Sequence, residues 1–439
     1  MPRTPGFPRL FPRLAACLLA GFCALPAWAA DKPVAPHATA SHKAAAHKAT
    51  ATDAAKPAKP APPALLIGDI NSYKLHPDLL DPYRKGWQMA LDEINQQGGV
   101  LGRKLQVLSR DDDGTADGAV AAAQKLADED HVALFFGGLN SDVGLALSDY
   151  AKRNQSFYLS TFPMTSRLTW QQGNAYTYQL APSGWMQMAA LVPKAFGLRK
   201  RHWGVVYVDD TYGRTTVATF SDMITHFQSH TNIVSNQVIE PGKFDAGKTV
   251  HQLLQDKPDA LFVLLSGSDL ARFAHEGKAQ GLLQNLPVVA PTAGEPEVLQ
   301  TLGADAQAGW LVSGYPCAPV GDEANMQRFE QSYQARYGAA PGSASALGYM
   351  ALHAIAEGLR KAADADPHAV AAAFAGLKLD TPYGAVRFRA IDHQSTLGVC
   401  LAVTAEQNGR IVAQPTGYLD GSRLQPPDKA VHALRGKQQ

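Results

Sequence analysis

The sequence predicts an α/β protein built as two doubly wound parallel-sheet lobes. Three observations carry this. Short apolar runs alternate with segments of helical periodicity along most of the chain. Two of the runs, Trp203 to Val208 and Ala260 to Leu265, are apolar almost without interruption, as strands covered on both faces by crossover helices are. The alternation breaks near Pro182 and restarts, giving two units each large enough for its own core.

The elements follow in order. Leu65 to Ile70 reads as a buried strand. Asp81-Pro82 reads as a helix start, with Asp as N-cap and Pro in the first turn. Trp87, Ala90, Leu91 and Ile94 then lie on one helical face, and Gly98-Gly99 ends that helix. Leu105 to Leu108 is a strand, Ala116 to Ala127 a helix and Val132 to Phe136 a strand. Val143, Leu147, Tyr150 and Ala151 stripe the next helix, and Phe157 to Leu159 is a fourth strand. In the second unit, the two apolar runs are followed by helical patterns over Thr215 to Phe227 and through Leu270, Phe273 and Ala274. Pro287 to Ala290 closes that series; helices are expected near 322–337 and 344–363, and strands at Ala385 to Phe388 and Gly398 to Val403.

The chain has 439 residues, too many for one ordinary core. Its net charge of +1 argues against a nucleic-acid partner, and four Cys exclude a disulfide scaffold. That neutrality is composite. Residues 1–63 carry 8 Lys+Arg and 2 Asp+Glu, so the rest of the chain is mildly acidic. Residues 1–29 read as a signal peptide, with Arg3, Arg9 and Arg13 before an apolar Leu14–Leu25 stretch and Ala27-Trp28-Ala29 as the cleavage site. About 12 apolar residues are too few to span a bilayer, which needs ~20. Leu14-Ala15-Ala16-Cys17 spells a lipoprotein box, but the apolar stretch follows the Cys instead of preceding it. Residues 30–63 are rich in Ala, Pro, Lys and His and are expected to form a disordered tether. His37, His42 and His47 read there as solvated, not as metal ligands. Cys317 and Cys400 remain after signal removal; they could pair in an oxidising compartment, but sequence does not place their α-carbons.

Enzyme signatures are missing. The chain contains no GxxxxGK[ST], GxGxxG after a strand, GxSxG, HExxH or CxxC. His275-Glu276 lacks a second His, Asp111-Asp112-Asp113 reads as a solvated turn, and Asp392-His393 as a turn between strands. No metal or cofactor is expected. The loops after the strands offer recognition instead, because ligands of open parallel sheets sit beyond the carboxyl ends of strands. Gly137-Gly138 would let a ligand approach the backbone, and Asn140 and Ser141 open a helix whose N–H groups could hold an anion; capping by Ser141 or Asp142 is the plainer reading. Ser160 and Thr161 offer hydroxyls beside Phe162, and Tyr212 could cover a ligand or sit in the core.

These segments resemble the leucine/isoleucine/valine-binding family of type I periplasmic solute-binding proteins. The likeness runs over about Leu65 to Gly417. It is carried by Ile94-Asn95 with Gly98-Gly99-Val100-Leu101-Gly102-Arg103-Lys104, by Asp111-Asp112, by Asp210-x-Tyr212-Gly213 and by Lys257-Pro258-Asp259-Ala260. Further segments around Gly294-Glu295-Pro296-Glu297, 309–316 and 380–396 resemble a proteobacterial subgroup. The resemblance implies two lobes joined by three crossovers near 181, 315 and 395, closing over a solute. Lobe 1 would be 64–180 plus about 315–395, lobe 2 181–314 plus about 396–420, and 421–439 a tail. By position, Ser141 corresponds to a serine that binds the ligand carboxylate, the 160–165 loop to amino-acid contacts, and Tyr212 to a cleft tyrosine. The acidic residue that pairs with a ligand ammonium falls at Thr292 and another cleft tyrosine at Ser266. Both ends of a family disulfide are replaced, by Gly114 and Asn140.

The Thr292 departure matters because a buried ammonium without a carboxylate costs several kcal/mol, against about −8 kcal/mol for a micromolar binder. The expectation is therefore a periplasmic, monomeric, non-catalytic receptor of an ABC importer, with permease subunits as partners and a small carboxylate- or amide-bearing solute, amino-acid-like or aromatic. Two alternatives stay open: an amino acid receptor using Glu295 for the ammonium, and a sensing receptor for a membrane partner.

Overall fold

The computed structural model describes residues 62–313, 317 and 323–435. The expected signal peptide, most of the tether and most of the crossover near 315 lie outside the described residues.

The first lobe begins with β1 (Leu65–Asn71), α1 (Pro77–Gln96), β2 (Leu105–Asp111), α2 (Ala116–Asp128), β3 (Leu134–Gly137), α3 (Ser141–Asn154), β4 (Phe157–Ser160) and β5 (Thr177–Gln179). Its sheet is parallel throughout, in the order β2-β1-β3-β4-β5. The strand order reverses between β1 and β3, the switch point at which open parallel sheets usually bind ligands. The second lobe holds α4 (Gly184–Gly197), β6 (His202–Val208), α5 (Thr211–Phe227), β7 (Asn232–Ile239), α6 (Ala246–Asp256), β8 (Ala260–Leu264), α7 (Gly267–Ala279), β9 (Val288–Val289), α8 (Pro296–Leu302) and β10 (Leu311–Ser313). The chain then returns to lobe 1 as α9 (Glu323–Tyr337), α10 (Ser343–Ala362), α11 (Pro367–Phe374) and the hairpin β11 (Lys378–Thr381) and β12 (Gly384–Arg387). It ends in lobe 2 with β13 (Val399–Gln407) and β14 (Arg410–Leu419), followed by α12 (Gly421–Leu424) and α13 (Asp428–Arg435). The lobe 2 sheet runs β14-β13-β10-β9-β8-β6-β7, with β13 and β14 antiparallel. Its parallel part repeats the lobe 1 order, so its switch point lies between β6 and β8.

Each sheet is covered on both faces. In lobe 1, Ala90 and Ile94 of α1, Phe329 of α9 and Leu352 and Ile355 of α10 pack on one face with Leu134 and Phe157; Ala119 and Leu126 of α2 and Val143 and Leu147 of α3 cover the other. α1 and α10 touch backbone to backbone: a Cβ at Gly86 would stand 2.0 Å from the Ser345 carbonyl oxygen. In lobe 2, α6, α7 and α8 cover one face, with α4 and α5 on the other, where Phe220 stacks on Phe262.

Two expectations change here. α1 starts at Pro77, not Pro82; Pro77 takes the first-turn position that suits a missing N–H, and Pro82 lies inside the helix. Asp112 is fully buried, where a solvated turn was expected, because Ser72 Oγ donates to it at 2.6 Å and Gly114 N–H at 2.9 Å.

The first and third crossovers lie side by side as a polar hinge. Ser395 N–H donates to the Gln179 carbonyl at 2.9 Å, Gln179 N–H to the His393 carbonyl at 3.1 Å, and Gln394 Nε2 to the Ala181 carbonyl at 2.9 Å. Asp392 and His393 belong to this hinge. The Asp392 carboxylate is buried and pairs with Arg389, and His393 stacks on Tyr178 with 4.0 Å between centroids. Burial lowers the His393 pKa to about 4, so the imidazole is neutral at pH 7.

Candidate functional site

The strand ends of the two lobes carry the polar residues that the fold does not use up. On lobe 1, β1 ends in Asp69, Asn71 and Ser72, all fully buried. Asp69 accepts from Tyr73 Oη at 2.6 Å, Ser109 Oγ at 2.7 Å and Asn71 Nδ2 at 3.1 Å. Burial raises its pKa to about 6 despite these bonds. The Arg84 guanidinium lies 3.9 Å over the Tyr73 ring, and its Nε is buried with no hydrogen-bond partner.

At the end of β3, Gly137 and Gly138 take positive φ values of 119° and 78°. They serve chain packing and not ligand approach: a Cβ would stand 2.3 Å from the Ile70 carbonyl at Gly137 and 2.6 Å from Tyr158 Oη at Gly138. Asn140 is the N-cap of α3, accepting from Val143 N–H at 2.8 Å, so capping falls to Asn140 instead of Ser141 or Asp142. Asn140 Nδ2 also donates to the Gly114 carbonyl at 3.2 Å, so a hydrogen bond joins the two positions where the family resemblance places a disulfide. Ser141 is buried, and its Oγ accepts from Thr165 N–H at 3.2 Å.

Beyond β4, Ser160 and Thr161 are fully buried and neither hydroxyl has an aligned partner. The Tyr83 hydroxyl lies within reach of Thr161, and that of Tyr158 within reach of Ser160, but neither contact is well aligned. Phe162 packs into the lobe core, 5.0 Å from the Tyr83 ring. Lobe 1 thus gathers hydroxyls at one strand end, while its aromatic neighbour is structural.

Lobe 2 brings Tyr212, Ser266 and Thr292 together. With Val208, Asp210, Gly213, Leu264 and Leu265 they line a cavity of about 60 Å³ at the β6/β8 switch point. Tyr212 Oη donates to Gln187 Oε1 at 2.6 Å, and Thr292 Oγ1 to the Leu265 carbonyl at 2.7 Å. Ser266 is exposed at the start of α7, whose N–H groups receive no side-chain cap. Asp210 caps α5 through Gly213 N–H at 2.6 Å, and burial holds its carboxyl above the ordinary range. Glu295 is not among the lining residues. Its carboxylate accepts from Ser343 Oγ, at 2.6 and 2.5 Å to the two oxygens, and so reaches from lobe 2 to the first turn of α10 in lobe 1. Burial and the neighbouring Glu297 raise its pKa to about 7. A second interlobe bond runs from Thr211 Oγ1 to Asp142, linking the N-termini of α5 and α3.

Sequence reasoning passed over Asp69, Tyr73, Tyr83, Arg84 and Gln187. Asp69 left a signal: a charged residue inside the apolar run of β1. The others lie on helices or loops whose pairing only the fold reveals.

Comparison with known proteins agrees with this architecture. A family model described as "Periplasmic binding protein" matches residues 77–409. The Leu/Ile/Val-binding protein BraC3 of Rhizobium johnstonii is 26% identical over 334 residues, covering 74% of this chain and 85% of that protein. A solute-binding protein of an ABC transporter from Rhodopseudomonas palustris BisB5, solved with 3,4-dihydroxybenzoic acid, superposes with a TM-score of 0.73 at 20% identity, covering 82% of this chain and 98% of that one. The leucine-, isoleucine-, valine-, threonine- and alanine-binding protein of Brucella ovis, in its closed conformation, gives 0.72 at 19% identity, with 83% and 97% covered. Paired parallel sheets with matching switch points and a polar hinge accord with these matches, and the chain belongs to the periplasmic binding protein family, as a type I solute-binding protein of the leucine/isoleucine/valine-binding kind used by ABC transporters.

Proposed function

We propose that this protein is the periplasmic receptor of an ABC importer and captures a small carboxylate-bearing solute, amino-acid-like or aromatic, between its lobes. The observation that carries this is the cluster of buried hydroxyls by the lobe 1 strand ends, Ser160, Thr161 and Tyr83, which have only one another and Tyr158 as poorly aligned partners. A buried donor left wholly unpaired costs about 1–3 kcal/mol, and donors held in poorly aligned bonds bear part of that cost, so the cluster favours a ligand that accepts hydrogen bonds. Helices α3, α5 and α7 each begin within four residues of the end of a parallel strand, and their positive dipole ends favour a negative charge. By the family resemblance the ammonium partner would fall at Thr292, which supplies no charge and donates to the Leu265 carbonyl, and Glu295 is engaged by Ser343 instead of the cavity. The ligands named for the two structural neighbours, a dihydroxybenzoic acid and small amino acids, share a carboxyl group. Binding occurs without turnover, and the closed form is what membrane permease subunits recognise.

The 60 Å³ cavity holds about two waters, whereas ligand sites usually run to about 300–1,000 Å³. The lobes therefore open to admit solute, breaking the Asp142–Thr211 bond, and close on it by hinge motion. Calorimetric titration of the exported protein with leucine, benzoate and 3,4-dihydroxybenzoate tests this. At least one carboxylate should bind at one site per chain, and Thr161→Val should weaken it about 10–100-fold, the value of a hydrogen bond to a charged group. Tight leucine binding abolished by Glu295→Ala would overturn the assignment and make Glu295 the ammonium partner.

A further inference from the structure

The pair Cys317 and Cys400 takes no part in the solute site, yet the fold brings the two together. They stand 83 positions apart in sequence. Cys317 follows β10, on the passage from lobe 2 to lobe 1; Cys400 is the second residue of β13, just after the last return to lobe 2. Cys400 Sγ donates to the Cys317 carbonyl oxygen at 3.2 Å, an atom two bonds from the Cys317 α-carbon. Cys317 Sγ lies 3.6 Å from the Gly417 carbonyl on β14, and each thiol is within reach of the other. Disulfides need α-carbons about 4.4–6.8 Å apart, and a sulfur seated 3.2 Å from the partner residue's carbonyl oxygen puts the two residues in the neighbourhood where such a bond forms.

We propose that Cys317 and Cys400 form an intrachain disulfide once the chain reaches the oxidising compartment in which its family works. The bond ties the second crossover to the start of β13 and so closes the base of the whole returning segment, α9 to β12. The step is thiol–disulfide exchange. The Cys317 thiolate attacks one sulfur of an oxidant disulfide, such as a dithiol oxidase in its disulfide form, forming a mixed disulfide and releasing one oxidant thiol. The Cys400 thiol, giving up its proton, then attacks Cys317 Sγ and expels the second. The two cysteines lose two electrons and two protons in all, and the oxidant leaves as its dithiol. The neighbouring Cys400 side chain lowers the Cys317 pKa, which favours Cys317 as the attacking group. Both ends sit on the lobe 2 side, so the staple fixes the hinge strands to each other without bridging the cleft.

The proposal rests on the compartment and not on the identity of the solute. The test is peptide mapping of the full chain, expressed with export and purified without reductant, after alkylation in denaturant. The expected result is a peptide pair cross-linked through Cys317 and Cys400 that separates only after reduction. Recovery of both cysteines as alkylated free thiols overturns the proposal. In Cys400→Ser, Cys317 should become fully alkylatable; if it stays blocked, its partner is another thiol and the proposal fails.

Discussion

Replacing Glu295 by Gln isolates the charge of the interlobe contact. Gln keeps the shape and still accepts from Ser343, but it cannot ionise. In the wild-type chain the Glu295 pKa is raised from 4.5 to about 7. Between those values the folded protein holds a proton that the unfolded chain has released, so stability falls as pH rises through that window. Each pKa unit corresponds to about 1.4 kcal/mol, which sets a ceiling of about 3 kcal/mol for Glu295. The side chain is half-buried, so the loss will be smaller than that ceiling. Glu297 faces the same carboxyl and adds repulsion once Glu295 ionises, and the Cys400 thiol lies close enough to feel its charge. Asp69, raised to about 6, loses stability in the same direction over a lower range, so the comparison must be between proteins and not between pH values alone. The assay is thermal unfolding from pH 4.5 to 8. The wild type should lose several degrees relative to Glu295→Gln as pH rises to 8, at roughly 2 °C per kcal/mol for a chain of this size. Parallel melting curves for the two proteins would refute a buried, proton-holding Glu295.

Other perturbations test other parts. Thr211→Val removes the hydrogen bond to Asp142 and should weaken solute binding about fivefold by titration, as a bond of about 1 kcal/mol in the closed form predicts. Gly86→Ala places a methyl group 2.0 Å from the Ser345 carbonyl oxygen, a backbone atom that cannot swing aside, and should destabilise the protein by about 3 kcal/mol or more in denaturant unfolding. Gly138→Ala meets Tyr158 Oη at 2.6 Å and requires a φ of 78°, so a loss of about 1–3 kcal/mol should appear by the same measurement. Full oxidation of Cys317 and Cys400 should raise the melting temperature over that of the reduced protein, since a closed loop of this length is worth at most about 4–5 kcal/mol.

The strands that were legible are those buried on both faces. β1, β4, β6 and β8 are predominantly apolar runs, β6 and β8 almost without interruption, and sequence placed them within two residues. The edges were not legible. β7 and β14 flank the lobe 2 sheet, carry polar residues along most of their length, and β14 contains Pro415, which an edge strand tolerates. The region read as a C-terminal tail includes α12 and α13, too short to show a periodicity of their own; Arg435 of α13 donates to the Ile391 carbonyl.

The candidate site divides in the same way. Tyr212, and Ser266 and Thr292 as the family resemblance named them, line one cavity because the loops after β6, β8 and β9 converge at one switch point. Phe162 and Glu295 occupy the right loops but turn to the core and to α10, choices made by tertiary packing that no local pattern encodes. Tyr83 and Arg84 enter from the first turns of α1, whose true start at Pro77 brings them to the strand ends.

The central claim is that the strand-end hydroxyls of lobe 1 bind the carboxylate of a small solute. Titration calorimetry of the wild type and Thr161→Val with the same carboxylate tests it most directly. The wild type should bind at one site per chain, and binding should be weakened at least tenfold in the variant. Equal affinity in the two proteins would contradict it.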